Sequence, residues 1–166
     1  MSGDARRAGT RAVAGSLLAA LLLTILPLPA WLMDYRPQWA ALVVIFWTMY
    51  EPRRVGVFWG FGTGIALDVI SGSVLGQNAL ALSVVAFLAL ELHQRVVAFP
   101  MPQQAFSVGL LLLTERLLSL WILGATGQPT PSLAYWLPVL AGVLLWPLLS
   151  AVLRAVREAT MGDVAT

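Results

Sequence analysis

The chain has 166 residues, of which 59% are hydrophobic and only 11% charged, with a mean hydropathy of +0.83. An average soluble domain carries about 25% charged residues, so a water-soluble globular protein is excluded, and the abundance of Leu, Val and aromatic residues excludes a disordered one. Without cysteine there is no disulfide framework, thiolate metal site or cysteine nucleophile. The ten basic residues are all Arg, and a net charge of +2 is too small to point to nucleic acid.

An integral membrane protein fits this composition, and its apolar runs can be taken in chain order. A short basic start, residues 1–12 with Arg6, Arg7 and Arg11, precedes a first span over 13–30. The same beginning has the outline of a secretory signal peptide with Ala30 at the cleavage position, but further spans follow and Leu-Pro-Leu-Pro-Ala lacks a small-x-small site. Spans follow at 37–51, 55–71, 78–93, 103–123 and 132–153, before a short tail at 154–166. The expected architecture is an all-α membrane protein, a single compact bundle of six transmembrane helices. Several spans fall short of the roughly 20 residues that cross a bilayer, which implies helices running into the polar connections or a locally thinned membrane. The connections are too short to hold a folded domain, and Pro147 predicts a kink in the sixth span.

The Arg residues set the expected orientation, because positive residues near span ends stay in the cytoplasm. Six spans with both termini inside put Arg6, Arg7, Arg11, Arg53, Arg54, Arg95, Arg154 and Arg157 on the cytoplasmic face and leave Arg36 outside. The same layout brings Trp31, Tyr35, Trp39, Trp121, Tyr135 and Trp136 to the outer interface, where amphipathic rings settle.

The third span carries Gly56, Gly60, Gly64, Asp68 and Gly72 at every fourth position. Small residues so spaced form a ridge along which another backbone can approach. The ridge serves either a neighbouring span of the same chain or a partner's helix, and in both cases Asp68 faces protein. Gly15-x-x-x-Ala19 and Ser16-x-x-x-Ala20 in the first span are a commoner version of the same pattern.

Asp68, Glu115 and Arg116 lie inside the membrane by this count. At 1.5 Å per residue, Asp68 and Arg116 both sit roughly 21 Å from the cytoplasmic side. A charge near the centre of a span costs up to about 3 kcal/mol, so these residues need partners. An Asp68–Arg116 pair linking the third and fifth spans is expected, leaving Glu115 to bond polar residues near the outer end, to be protonated, or to await a partner.

Little supports catalysis. His93, between Glu91 and Arg95, reads as an interfacial residue, and Ser71 and Ser73 have no His within reach. Gly60-Phe-Gly-Thr-Gly64 has neither the spacing nor the preceding strand of a dinucleotide loop. No catalytic, cofactor or metal site is expected.

Tyr35-Arg36-Pro37-Gln38-Trp39, then Glu51-Pro52-Arg53-Arg54-Val55-Gly56, then Gly64-x-x-x-Asp68-x-x-x-Gly72-x-x-Leu75-Gly76, resemble the rod shape-determining MreD family. The family pattern falls here on Arg36, Pro37, Trp39, Pro52, Arg54, Gly56, Gly64, Asp68, Gly72 and Gly76. The resemblance implies a non-enzymatic component of the bacterial cell-elongation machinery in the inner membrane. Its implied partners are the single membrane helix of MreC and, in the same assembly, MreB filaments, the glycosyltransferase RodA and a class B penicillin-binding protein, in a setting of membrane lipids. The family's bundle is similar to the substrate-binding component of energy-coupling-factor vitamin transporters. The alternative is therefore a small-molecule binding membrane protein with a pocket lined by Trp39, Asp68 and Arg116.

Overall fold

The computed structural model describes residues 2–162. Among them the chain is helical: α1 Ser2–Ile25, α2 Ala30–Met33, α3 Trp39–Tyr50, α4 Val57–Ser71, α5 Gln77–Val97 and α6 Met101–Ala125. A 3-10 turn, Leu133–Trp136, then leads into α7, Leu137–Gly162.

Among the described residues four helical stretches are long and apolar enough to cross a membrane: Gly3–Ile25, Gln77–Val97, Met101–Ala125 and Leu133–Gly162. The second and third expected spans are realised as shorter apolar helices, α3 of 12 residues and α4 of 15. At 1.5 Å per residue α3 rises only about 18 Å, against a hydrocarbon core of about 30 Å. Its ends are set locally. Pro37 precedes its first turn, and Pro52 follows Glu51 and cannot continue the helical hydrogen-bond ladder.

The brevity of α3 is tolerated because protein surrounds it. Ala40 through Met49 are all buried, and a helix that is apolar on every side belongs inside a bundle. Trp47 donates from its indole nitrogen to the hydroxyl of Ser16 on α1 at 2.7 Å. Tyr50 accepts from Gln104 of α6 at 3.1 Å, and Leu42 lies against Gly142 of α7. Val13, Leu17 and Ala20 bury α1 against this core.

The glycine ridge of α4 meets α5. A methyl group on Gly60 would stand 2.7 Å from the carbonyl oxygen of Leu82, and one on Gly64 would overlap the backbone of Ala79. These two positions are thus occupied within the chain and do not receive a partner's helix. Gly56, which begins α4, and Gly62, on another face, have open space beside them.

Helix directions alternate, so polar segments collect at two ends. At one end Arg157 of α7 pairs with Glu51 at 2.7 Å, and the Arg54 guanidinium lies against Gly9 of α1. The helix of the sixth expected span continues to Gly162, so Arg154 and Arg157 of the expected tail stand on α7; residues 163–166 lie outside the described residues. Helix α7 passes through Pro147 without interruption.

Candidate functional site

Opposite the Arg54–Arg157 end, two polar clusters lie side by side. The first is built on Asp68, only 1% exposed near the C-terminus of α4. Its Oδ1 accepts from the Ser73 hydroxyl at 2.8 Å, from the Asn78 side chain at 2.8 Å and from the Asn78 backbone N–H at 2.9 Å. Its Oδ2 accepts from the backbone N–H of Gly76 at 2.9 Å and of Ala79 at 3.3 Å. A helix begins with backbone donors that no carbonyl of its own can meet, and a carboxylate there is favoured by the helix dipole. Asp68 therefore caps α5 from the preceding helix.

The loop that allows this turns on two glycines. Gly72 ends α4 at φ +64° and Gly76 precedes α5 at φ +99°, left-handed conformations that an L side chain resists. Gly64, one turn before Asp68, lets α5 come close enough to be capped. The spacing Gly64, Asp68, Gly72, Gly76 thus describes one helical corner.

The second cluster lines a cavity of about 530 Å³ between the α4–α5 corner, the segment leading into α3, the turns of α6 past Glu115 and the segment leading into α7. Glu115, buried on α6, accepts from the Gln38 side chain and from the Ser119 hydroxyl, the latter at 3.2 Å. Its neighbour Arg116 brings Nε to 4.0 Å from the Glu115 carboxylate, beyond hydrogen-bonding distance, and holds its guanidinium carbon 4.6 Å from the centre of the Tyr135 ring. Tyr135 in turn donates to the Arg116 backbone carbonyl at 3.1 Å.

The expected Asp68–Arg116 pair is not formed. Asp68 is consumed by the α4–α5 corner, where five donors surround it, and Arg116 is turned onto Tyr135. Of the fates open to Glu115, the structure shows bonding to polar residues at this end. Ser73 and Asn78, which hold Asp68, also line the cavity, so both clusters share one layer of the bundle.

Other expected site residues have local tasks. Arg36 donates to the carbonyls of Thr24 and Leu26, both at 2.5 Å, and so closes the C-terminal end of α1. Pro37 and Trp39 line the cavity. Pro52 and Arg54 belong to the turn between α3 and α4, and the Arg54 backbone N–H donates to Glu51 at 3.0 Å. His93 hydrogen-bonds the carbonyl of Leu90 on its own helix. Among the described residues no group of His, Cys, Asp and Glu could hold a metal ion.

Sequence reasoning passed over Gln104. Its carboxamide donates to Tyr50 and accepts from the indole of Trp146 at 3.2 Å, joining α3, α6 and α7 in the core. The available signal was a polar side chain at the start of an apolar run, with a Trp inside a second one. Gln38, Asn78, Ser119 and Tyr135 were missed as partners of the charges for the same reason.

The corner spacing and the apolar helices can now be set against known proteins. A model of the family described as rod shape-determining protein MreD matches residues 6–156. The chain belongs to the MreD family. It is similar to the rod shape-determining protein MreD of Haemophilus influenzae, 28% identical over 142 residues that cover 84% of this chain and 86% of that protein. No solved structure matches it. This MreD-family chain is accordingly a membrane protein of rod-shape determination, and its Gly64–Gly76 pattern is the architecture of the α4–α5 corner.

Proposed function

We propose that this MreD-family protein is a non-catalytic component of the elongation machinery in the bacterial inner membrane. In this reading all six apolar segments lie within the membrane, α3 shielded by its neighbours and α4 at the edge of the bundle. Both termini face the cytoplasm, because Arg6, Arg7, Arg11, Arg53, Arg54, Arg95, Arg154 and Arg157 sit at helix ends that the alternating directions bring to one side. The protein would take up the membrane helix of MreC and so help couple MreB filaments to RodA and a class B penicillin-binding protein.

The observation that carries the MreC part is an apolar groove of about 420 Å³ between α1 and α4. It is lined by the small residues Ala14, Gly62 and Ala66 together with Leu18 and Phe58, and Phe58 is 91% exposed. Small residues under large ones are how membrane helices seat one another. Gly62 has open space around it, so Gly62→Leu fills the groove without disturbing the bundle. Pull-down from detergent-solubilised membranes should recover MreC and the synthase pair with the unaltered chain and several-fold less MreC with Gly62→Leu. Equal recovery with a folded variant would remove the groove from the interface. The second reading, a small-molecule carrier, draws on the 530 Å³ cavity, and recovery of an ATPase module in place of MreC would favour it.

A further inference from the structure

Five buried side-chain atoms among the described residues lack a hydrogen-bond partner, and four of them belong to residues lining the same cavity: Arg36 Nε, Gln38 Oε1, Gln77 Oε1 and Arg116 Nε. Unpaired buried polar atoms are rare in native proteins, and a group of them at one site calls for a physical cause. Here they form a complementary set, two guanidinium donors and two carboxamide acceptors.

Charge adds a direction. Two arginines, Arg36 and Arg116, line the cavity with a single buried carboxylate, Glu115, whose oxygens are already bonded to Gln38 and Ser119; Arg36 spends its terminal nitrogens on the Thr24 and Leu26 carbonyls, and Asp34 is exposed. The floor is the start of α3. Ala40 and Ala41 line the cavity, and no side chain caps the helix there. An uncapped helix N-terminus presents free N–H groups and the positive end of the dipole. Arg116 is 22% exposed, and its guanidinium is oriented by the Tyr135 ring without an acceptor at Nε. Guanidinium groups bind carboxylate and phosphate through paired N–H donors.

We propose that this cavity binds a small anionic group, a phosphate or carboxylate, that also carries hydroxyl or amide donors. The anion sits against the terminal nitrogens of Arg116 over the α3 N-terminus, and rotation of the Gln38 and Gln77 carboxamides, whose Oε1 atoms are closed off in this structure, brings them to the ligand's donors. A volume of about 530 Å³ lies within the range of small-ligand sites. A phosphate bearing hydroxyls occurs both as a free solute, glycerol 3-phosphate, and as the headgroup of phosphatidylglycerol. The inference is independent of MreC binding, which involves a different face.

The test uses the full chain. In phosphatidylcholine nanodiscs, thermal unfolding is followed with added glycerol 3-phosphate; in mixed phosphatidylglycerol and phosphatidylcholine nanodiscs, native mass spectrometry counts retained lipid. An Arg116-dependent rise in unfolding temperature with glycerol 3-phosphate identifies a free solute. Retention of phosphatidylglycerol alone identifies a headgroup. Arg116→Gln should lower binding at least tenfold, Arg116→Lys severalfold, and Arg7→Gln, an exposed arginine at the other end, not at all. If Arg116→Gln does not fold, Ser132→Trp, which blocks the cavity wall with Arg116 intact, must give the same loss. Failure of the unaltered chain to bind either probe, or unchanged binding by a folded Arg116→Gln or Ser132→Trp, overturns the proposal.

Discussion

Asp68 and Arg116 carry opposite charges in the same layer of the bundle, yet their surroundings differ in kind. Five donors meet the Asp68 carboxylate, all of them within eleven residues along the chain. Arg116 has an aromatic face, a carboxylate at 4.0 Å and a cavity. A charge with complete hydrogen bonding fixes structure, whereas one left with open donors beside a cavity is free to recognise something. An intramembrane charge therefore has to be judged by how many of its hydrogen bonds the protein itself completes.

That contrast is open to direct attack. Asp68→Ala should have the largest effect: it strands the donors of Gly76, Asn78 and Ala79, each costing about 1–3 kcal/mol if left unpaired. A loss of about 3 kcal/mol or more is expected, seen as a collapsed monodisperse peak or a strongly lowered unfolding temperature in detergent. Gly64→Ala attacks the same corner through packing, by pushing α5 away from the carboxylate, and should cost about 1–3 kcal/mol. Helix separation reported by cross-linking of residue pairs across α4 and α5 would register it. Gln104→Leu leaves the Trp146 indole without an acceptor and should cost about 1–2 kcal/mol, read as a lower unfolding temperature. Arg116→Gln should be the mildest, within about 1 kcal/mol in ligand-free detergent, since it removes a ring contact and a loose ion pair. A loss as large as that of Asp68→Ala would erase the distinction between the two clusters.

The sequence made much of the corner visible and little of the cavity. Four-residue spacing on α4 announced a close-packed ridge, and Asp68 on that ridge had to face protein. Its partners are not legible there because Ser73 and Asn78 have the composition of an ordinary loop and three of the five donors are backbone N–H groups, which carry no sequence signal. The short α3 was equally hidden: hydropathy marks an apolar run but cannot tell a helix bathed in lipid from one sheathed by its neighbours. Glu115 and Arg116 were conspicuous as charges, but their partners Gln38, Ser119 and Tyr135 come from three separate segments whose meeting depends on the tertiary fold.

Helix α3 begins only at Trp39, whereas α6 continues ten residues beyond Glu115, the level at which it meets Gln38. The cavity is thus the volume of the turns α3 does not have, and a helix length acts as its depth gauge. One added turn, about 5.4 Å, would draw Arg36, Pro37 and Gln38 out of the wall and into the helix and so plug the site; the register at which this central helix starts governs whether this end of the bundle is a chamber or a solid cap.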